Sequence, residues 1–269
     1  MAAVKSKPAL LGIPFDAHSS FLRGASLAPP LIRSAMNCDS SNSWSENGVD
    51  LAAPGTFEDG GDLDLPPDAS AFSLIEQGVE ELLAKGLRPV SLGGDHSITY
   101  PIVRSMARRV PGLTIVHFDA HPDLYDEFEG NRLSHACPFA RIMEEGCAKR
   151  LIQLGIRTMS GPLRAQAARF GVEVIGMAQL PALDRLKLAG PVYLSFDVDV
   201  LDPAFAPGIS HREPGGMSVR EALNHLHAIE GDIVGADLVE YNPAQDVSRL
   251  TWMVCGRLVK ELLGKMIAG

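Results

Sequence analysis

Val116-His117-Phe118-Asp119-Ala120-His121-Pro122-Asp123 begins as an apolar run and ends on three side chains that bind cations. Side chains in a strand alternate faces, so Asp119 and His121 share one, and Pro122 supports a turn that brings Asp123 back toward them. The stretch reads as a strand whose end is a chelate. Two others have the same construction. Val192 to Phe196 is apolar and runs into Asp197-Val198-Asp199, with both acids on one face, followed by Asp202-Pro203. Pro89 to Leu92 runs into Gly93-Gly94-Asp95-His96-Ser97, where two glycines let the backbone turn tightly.

His96, Asp119, His121, Asp123, Asp197 and Asp199 are more ligands than one ion needs, and carboxylates gathered together repel unless cations lie between them. A two-metal site follows. Each Asp taken alone can also be a helix cap or turn former, and each His a packed strand residue. That reading covers any one motif but leaves three of them at three strand ends unexplained.

Outward from these strands the chain alternates. Apolar runs at 9–13, 89–92, 113–118, 151–154, 172–175, 192–196 and 233–239 predict strands. Helical spacing predicts helices over 31–36, 71–85, 98–108, 138–145, 163–170, 183–188, 219–229 and 249–266. Ser218 and Glu221 form a capping box before the seventh of these. Residues 37–67 lack periodicity and lie between core elements, which predicts an ordered surface loop. Strand-helix alternation with nearly all-apolar strands implies a mostly parallel sheet covered on both faces, an α/β chain forming a single domain over 1–269. All three ligand turns follow strand carboxyl ends, where open α/β sheets bind ligands.

A chain of 269 residues, 46% hydrophobic, can bury a large core. The net charge of −9 argues against nucleic acid as a partner and suits a cationic substrate. Cys38, Cys137, Cys147 and Cys255 have no CxxC spacing and read as reduced thiols. No apolar run reaches membrane-spanning length, and the start of the chain carries no signal-like segment. The expectation is a cytoplasmic protein, or an organellar one whose presequence has been removed.

Gly-Gly-Asp-His-Ser at 93–97, Asp-Ala-His-Pro-Asp at 119–123 and Ser-Phe-Asp-Val-Asp-Val-Leu-Asp-Pro at 195–203 resemble the three signatures of the ureohydrolase superfamily, which includes arginases, agmatinases and guanidinobutyrases. The resemblance runs from Ser19-Ser20-Phe21-Leu22-Arg23-Gly24 to Val239-Glu240-Tyr241-Asn242-Pro243. It is nearest to plant-type arginases, on 125–131 (Tyr-Asp-Glu-Phe-Glu-Gly-Asn) and 210–216 (Ser-His-Arg-Glu-Pro-Gly-Gly). It implies a three-layer α/β/α fold, a pair of Mn²⁺ ions held by the six ligands, and hydrolysis of a guanidinium group to urea and an amine. Imidazole also suits Zn²⁺, Co²⁺ and Ni²⁺, so the chemistry alone leaves the metal open.

By the same resemblance, His135 is the proton shuttle to the leaving amine and Glu240 the guanidinium-binding carboxylate. Asp199 is expected to bind metal and also to accept a proton from the attacking hydroxide. His211 stands where many relatives have Thr and is expected to line the substrate pocket. Asp95 and Asp202 read as supports for a ligand or its turn, and His117 as strand packing. Tyr125 and Arg157-Thr158-Met159-Ser160 replace the groups with which animal-type arginases hold the α-carboxylate and α-amino group of arginine. L-Arginine and agmatine therefore both stand as substrates, with 4-guanidinobutyrate behind them; a catalytically idle metal-binding relative is the alternative outside enzymes. The apolar closing helix and the resemblance together predict a homotrimer or homohexamer.

Overall fold

The structure, a computed structural model, describes residues 6–180 and 183–268. Eight strands form one sheet in the order β2-β1-β3-β8-β7-β4-β5-β6, and every neighbouring pair is parallel. They are β1 (Pro8–Ile13), β2 (Glu58–Asp62), β3 (Arg88–Gly93), β4 (Thr114–Phe118), β5 (Arg150–Ile156), β6 (Glu173–Gly176), β7 (Leu186–Asp197) and β8 (Ile229–Val239). The helices are α1 (Ala28–Met36), α2 (Ala71–Ala84), α3 (Thr99–Ala107), α4 (Pro138–Glu144), α5 (Gly161–Phe170), α6 (Val219–Ala228) and α7 (Leu250–Ala268).

Alternation along the strands builds a core on each face. Val116 and Phe118 of β4 face the same cluster as Ile32 of α1, Leu226 of α6 and Leu258 of α7. Ile115 faces the opposite cluster, with Ile75 of α2, Ile102 of α3 and Phe139 of α4. Phe118 and Phe196 pair across β4 and β7 and stack with centroids 5.0 Å apart. Each such buried aromatic contributes about 1.5–3 kcal/mol by leaving water. The three-layer α/β/α architecture is as the motifs imply, and the capping box of Ser218 and Glu221 opens α6.

Two expectations fail locally. Residues 183–188 are not a helix: β7 starts at Leu186, which pairs with Ile229, and Lys187 pairs with Glu230. Alternating Leu186, Lys187 and Leu188 continue a strand, because β8 also begins earlier than its apolar run suggests. Within 37–67 lies β2, an exposed edge strand of Glu, Asp and Gly with no apolar alternation, held by backbone pairing to β1. The rest of that segment is the ordered loop expected: fully buried Glu261 of α7 accepts the amide of Glu46 at 2.9 and 3.1 Å.

The closing helix is apolar for a reason inside the chain. Leu258, Leu262 and Leu263 are buried against the sheet and neighbouring helices, so their character says nothing about assembly.

The turn after β3 depends on Gly94. A Cβ there would lie 2.0 Å from the Phe15 carbonyl oxygen, which also accepts the Asp95 amide at 2.8 Å. We predict that Gly94→Ala lowers the urea-unfolding midpoint by the equivalent of about 1–3 kcal/mol, as overpacked sites do. An unchanged midpoint would show that the turn gives way without cost.

Candidate metal centre and active site

The central strands β3, β8, β7 and β4 bring their carboxyl ends together, and the predicted ligands meet there. His96 follows β3, and its Nδ1 lies 3.2 Å from Asp119 Oδ2, 3.1 Å from Asp123 Oδ2 and 3.1 Å from Asp197 Oδ2. On the other side of Asp119, Oδ1 lies 3.4 Å from His121 Nδ1, which is 2.9 Å from Asp199 Oδ2. Asp119 thus faces two neighbouring clusters with its two oxygens. All six expected ligands are brought together.

The state of His96 follows from its neighbours. Ser195 Oγ donates its one proton to Asp237 at 2.7 Å, so it accepts from His96 Nε2 at 2.9 Å. In the neutral ring Nδ1 is then a bare lone pair, buried and without a hydrogen-bond donor. A lone pair and three carboxylates converging on one point need a positive charge there. Burial opposes charge on the His96 ring, but Asp119, Asp123 and Asp197 outweigh it and hold its pKa well above the usual range. Burial and repulsion from Asp199 and Asp119 push the Asp197 carboxyl well up, and burial with Asp119 lifts Asp199 to about 6. The donor set, imidazole nitrogen with several carboxylates, fits hard divalent cations. Among the described residues, His96, His117 and Asp119 form one group that could hold a metal ion, and Asp119, His121 and Asp199 another.

Supports surround these groups, of which Asp95 and Asp202 were expected and Asp237 and Gln153 were not. Asp237, fully buried in β8, accepts the hydroxyls of Thr99, Tyr193 and Ser195. An acid inside the apolar run 233–239 was the available sign. His117, expected to be packing, has Nε2 2.7 Å from Asp119 Oδ2, while Gln153 donates to its Nδ1 at 3.1 Å and to the Pro122 carbonyl at 2.6 Å. Gln153 leaves the proton of His117 on Nε2, aimed at Asp119. Asp95 holds the turn and not the His96 ring: Oδ1 accepts the amide and hydroxyl of Ser97, and Oδ2 accepts the His18 amide at 3.0 Å. Asp202 accepts the amides of Ala204, Gly215 and Gly216, which fixes the loop carrying Glu213.

Glu240, just past β8, has φ 66°, and Asp123 has φ 48°, left-handed values that non-glycine residues adopt at a cost of roughly 1–3 kcal/mol. The Glu240 amide donates to the Gly94 carbonyl at 2.9 Å, and its Oε1 accepts the His96 amide at 2.9 Å. The same Oε1 lies 2.9 Å from His135 Nδ1. Burial lowers the His135 pKa, but the Glu240 carboxylate outweighs it and raises the ring to about 9. Ser20, quoted above only within the stretch that carries the resemblance, meets the other nitrogen, its amide 3.3 Å and its hydroxyl 2.9 Å from Nε2. That hydroxyl can donate to the neutral ring or accept from the charged one. His211 is half-buried, its ring centroid 5.1 Å from His135 and 5.9 Å from His121. All of these face a cavity of about 220 Å³ whose floor includes Asp197 and Asp199.

Comparison with known proteins agrees with this geometry. The sequence model of the arginase family matches residues 6–264, and the chain belongs to that family. It is 47% identical over 283 residues to "Arginase 1, mitochondrial" of Arabidopsis thaliana, covering 99% of this chain and 83% of that protein. It is 35% identical over 264 residues to "Agmatinase" of Bacillus subtilis, covering 94% of this chain and 90% of that one. The solved arginase from Medicago truncatula superposes with a TM-score of 0.92 at 45% identity, covering 98% of this chain and 89% of that one.

The Asp237–Ser195–His96 chain yields a prediction. Asp237→Asn should weaken divalent-metal binding by roughly 10–100-fold, the usual effect of removing a group that orients a ligand. Calorimetric titration of the metal-free variant measures it, and wild-type affinity in a folded variant would show that this chain does not set the His96 tautomer.

Proposed function

We propose that this chain is a metal-dependent ureohydrolase that converts L-arginine to L-ornithine and urea, with two Mn²⁺ ions as cofactors. One observation carries the reading: a bare imidazole nitrogen and three carboxylates converge beside a cavity that also holds Glu240 and His135. His96, Asp119, His121, Asp123, Asp197 and Asp199 would hold the ions. When bound, such a pair supplies hydroxide at neutral pH by lowering the pKa of water, which a resonance-stabilised guanidinium carbon requires.

The chain's own residues supply the rest. Glu240 Oε1 is engaged by the His96 amide and the His135 ring, while Oε2 meets no donor among the described residues and is left for a substrate N–H. That charge-assisted bond orients the planar guanidinium. Asp199 takes up the proton released when the adduct collapses, and His135 delivers one to the leaving amine. A static metal-binding relative would have no use for Glu240 and His135 facing one cavity.

Agmatine, giving putrescine and urea, is the second reading. What favours it is a cavity lining without Lys or Arg for the arginine carboxylate. Arginine is preferred for the chain's greater similarity to arginases. Urea release from arginine, agmatine and 4-guanidinobutyrate with added Mn²⁺ decides: arginine should show the highest kcat/KM, whereas a higher value for agmatine replaces the first reading by the second. Zn²⁺, Co²⁺ and Ni²⁺ in parallel assays test the choice of metal.

We also retain a homotrimer or homohexamer, on the family resemblance and on Leu27, Leu31 and Leu250, which stay exposed around the packing of α1 on α7. Among the described residues no helix is long and apolar enough to cross a membrane. The four cysteines are unpaired, which suits a reducing compartment, the cytoplasm or an organelle matrix.

His135→Ala should keep its metal and lose roughly 10²–10⁴-fold in kcat, the range for lost general acid–base help. Full wild-type turnover in the metal-replete variant would remove His135 from the reaction; a rise in KM alone would make it a binding residue only.

A further inference from the structure

The reading above assigns the guanidinium end of the substrate and leaves the other end without a partner. Five acids line the cavity, and four are already matched. Asp123 and Asp197 each have an oxygen 3.1 Å from His96, Asp199 lies 2.9 Å from His121, and Glu240 lies 2.9 Å from His135. Glu213 is the fifth. Its nearest cationic partner among the described residues is His121 Nε2 at 3.8 Å, beyond hydrogen-bond reach. No Lys or Arg pairs with its carboxylate there.

The backbone at Glu213 is held in place, and its side chain is open to solvent. Arg157 grips the Glu213 carbonyl through Nε at 3.0 Å and an η-nitrogen at 2.7 Å, and that same nitrogen donates to the Asp199 carbonyl at 2.7 Å. One guanidinium therefore ties the Glu213 loop to the ligand turn after β7. The side chain is 43% exposed and borders the cavity, so a cation can reach it. A mouth with one acid that no cationic group hydrogen-bonds, and with no Lys or Arg, selects for a positive charge on the incoming molecule.

We propose that Glu213 is the specificity residue for the free ammonium group that L-arginine and agmatine both carry at the end opposite the guanidinium. The proposal rests on the ureohydrolase reading and extends it: Glu240 orients the reacting end and Glu213 receives the other. The site then discriminates among guanidines by the distant amine, with the carboxylate of arginine held only by neutral groups or solvent.

The test uses metal-loaded enzyme with arginine, agmatine and n-butylguanidine, which is agmatine without its amine. The wild type should favour agmatine over butylguanidine in kcat/KM by roughly three- to tenfold, the scale of a partly exposed charge-assisted bond. Glu213→Gln should abolish that preference through KM, and Glu213→Asp should keep part of it. Calorimetric binding of agmatine and butylguanidine to the same proteins should show the same collapse without any turnover. A preference unchanged in a metal-replete Glu213→Gln protein overturns the proposal. So does an equal loss on all three compounds together with lost metal, which would make Glu213 a support for His121. If the wild type releases no urea from any of them, the ureohydrolase reading fails, while the binding comparison still decides the role of Glu213.

Discussion

A bare nitrogen and three carboxylates meet at one point at the carboxyl edge of a parallel sheet, and the rest of the site is arranged around the charge that point requires. Nδ1 of His96 has no donor because the opposite nitrogen is committed to Ser195, and Ser195 to Asp237. Hydrogen bonds within the protein therefore remove the easiest neutralisation, a proton held on Nδ1 of a neutral ring. Such crowding of buried acids is costly in a fold that gains nothing from it, so it marks a place built for cations.

The fold supplies that point by topology. The strands that carry His96, Asp119 and Asp197 are β3, β4 and β7, far apart in sequence, and β8 fills the remaining place between β3 and β7. Glu240 leaves β8 in a left-handed conformation that its bonds to the turn after β3 hold in place. The expected metal ligands and Glu240 thus stand at strand ends fixed by two packed faces, while the loops bearing His135, His211 and Glu213 form the walls.

Much of this was legible because short, nearly continuous apolar runs ending in Asp or His carry both the strand and the ligand in a few residues. The six candidate ligands and their carboxyl-edge location are read from three short stretches, and the parallel sheet from strand-helix alternation along the chain. What stayed hidden depends on pairing between distant segments. Strand β2 has no apolar alternation and exists through its bonds to β1; the start of β7 looked helical because Leu183 and Leu186 lie three apart, whereas Leu186 and Leu188 alternate as in a strand. Likewise nothing in the sequence says that Ser20 would meet His135, that Gln153 would orient His117, or that Asp237 would fix His96 through Ser195. Those are long-range contacts between residues whose types are common on any surface. The closing helix taught the converse, since its apolar surplus is spent within the chain.

Anomalous diffraction from crystals soaked in Mn²⁺, recorded at the manganese edge, tests the account most directly. Two peaks are predicted about 3.5–4 Å apart, as in two-metal hydrolytic sites, one beside His96 Nδ1 and one beside His121 Nδ1, with Asp119 between them. A single peak, or none within bonding distance of His96 Nδ1, would contradict it.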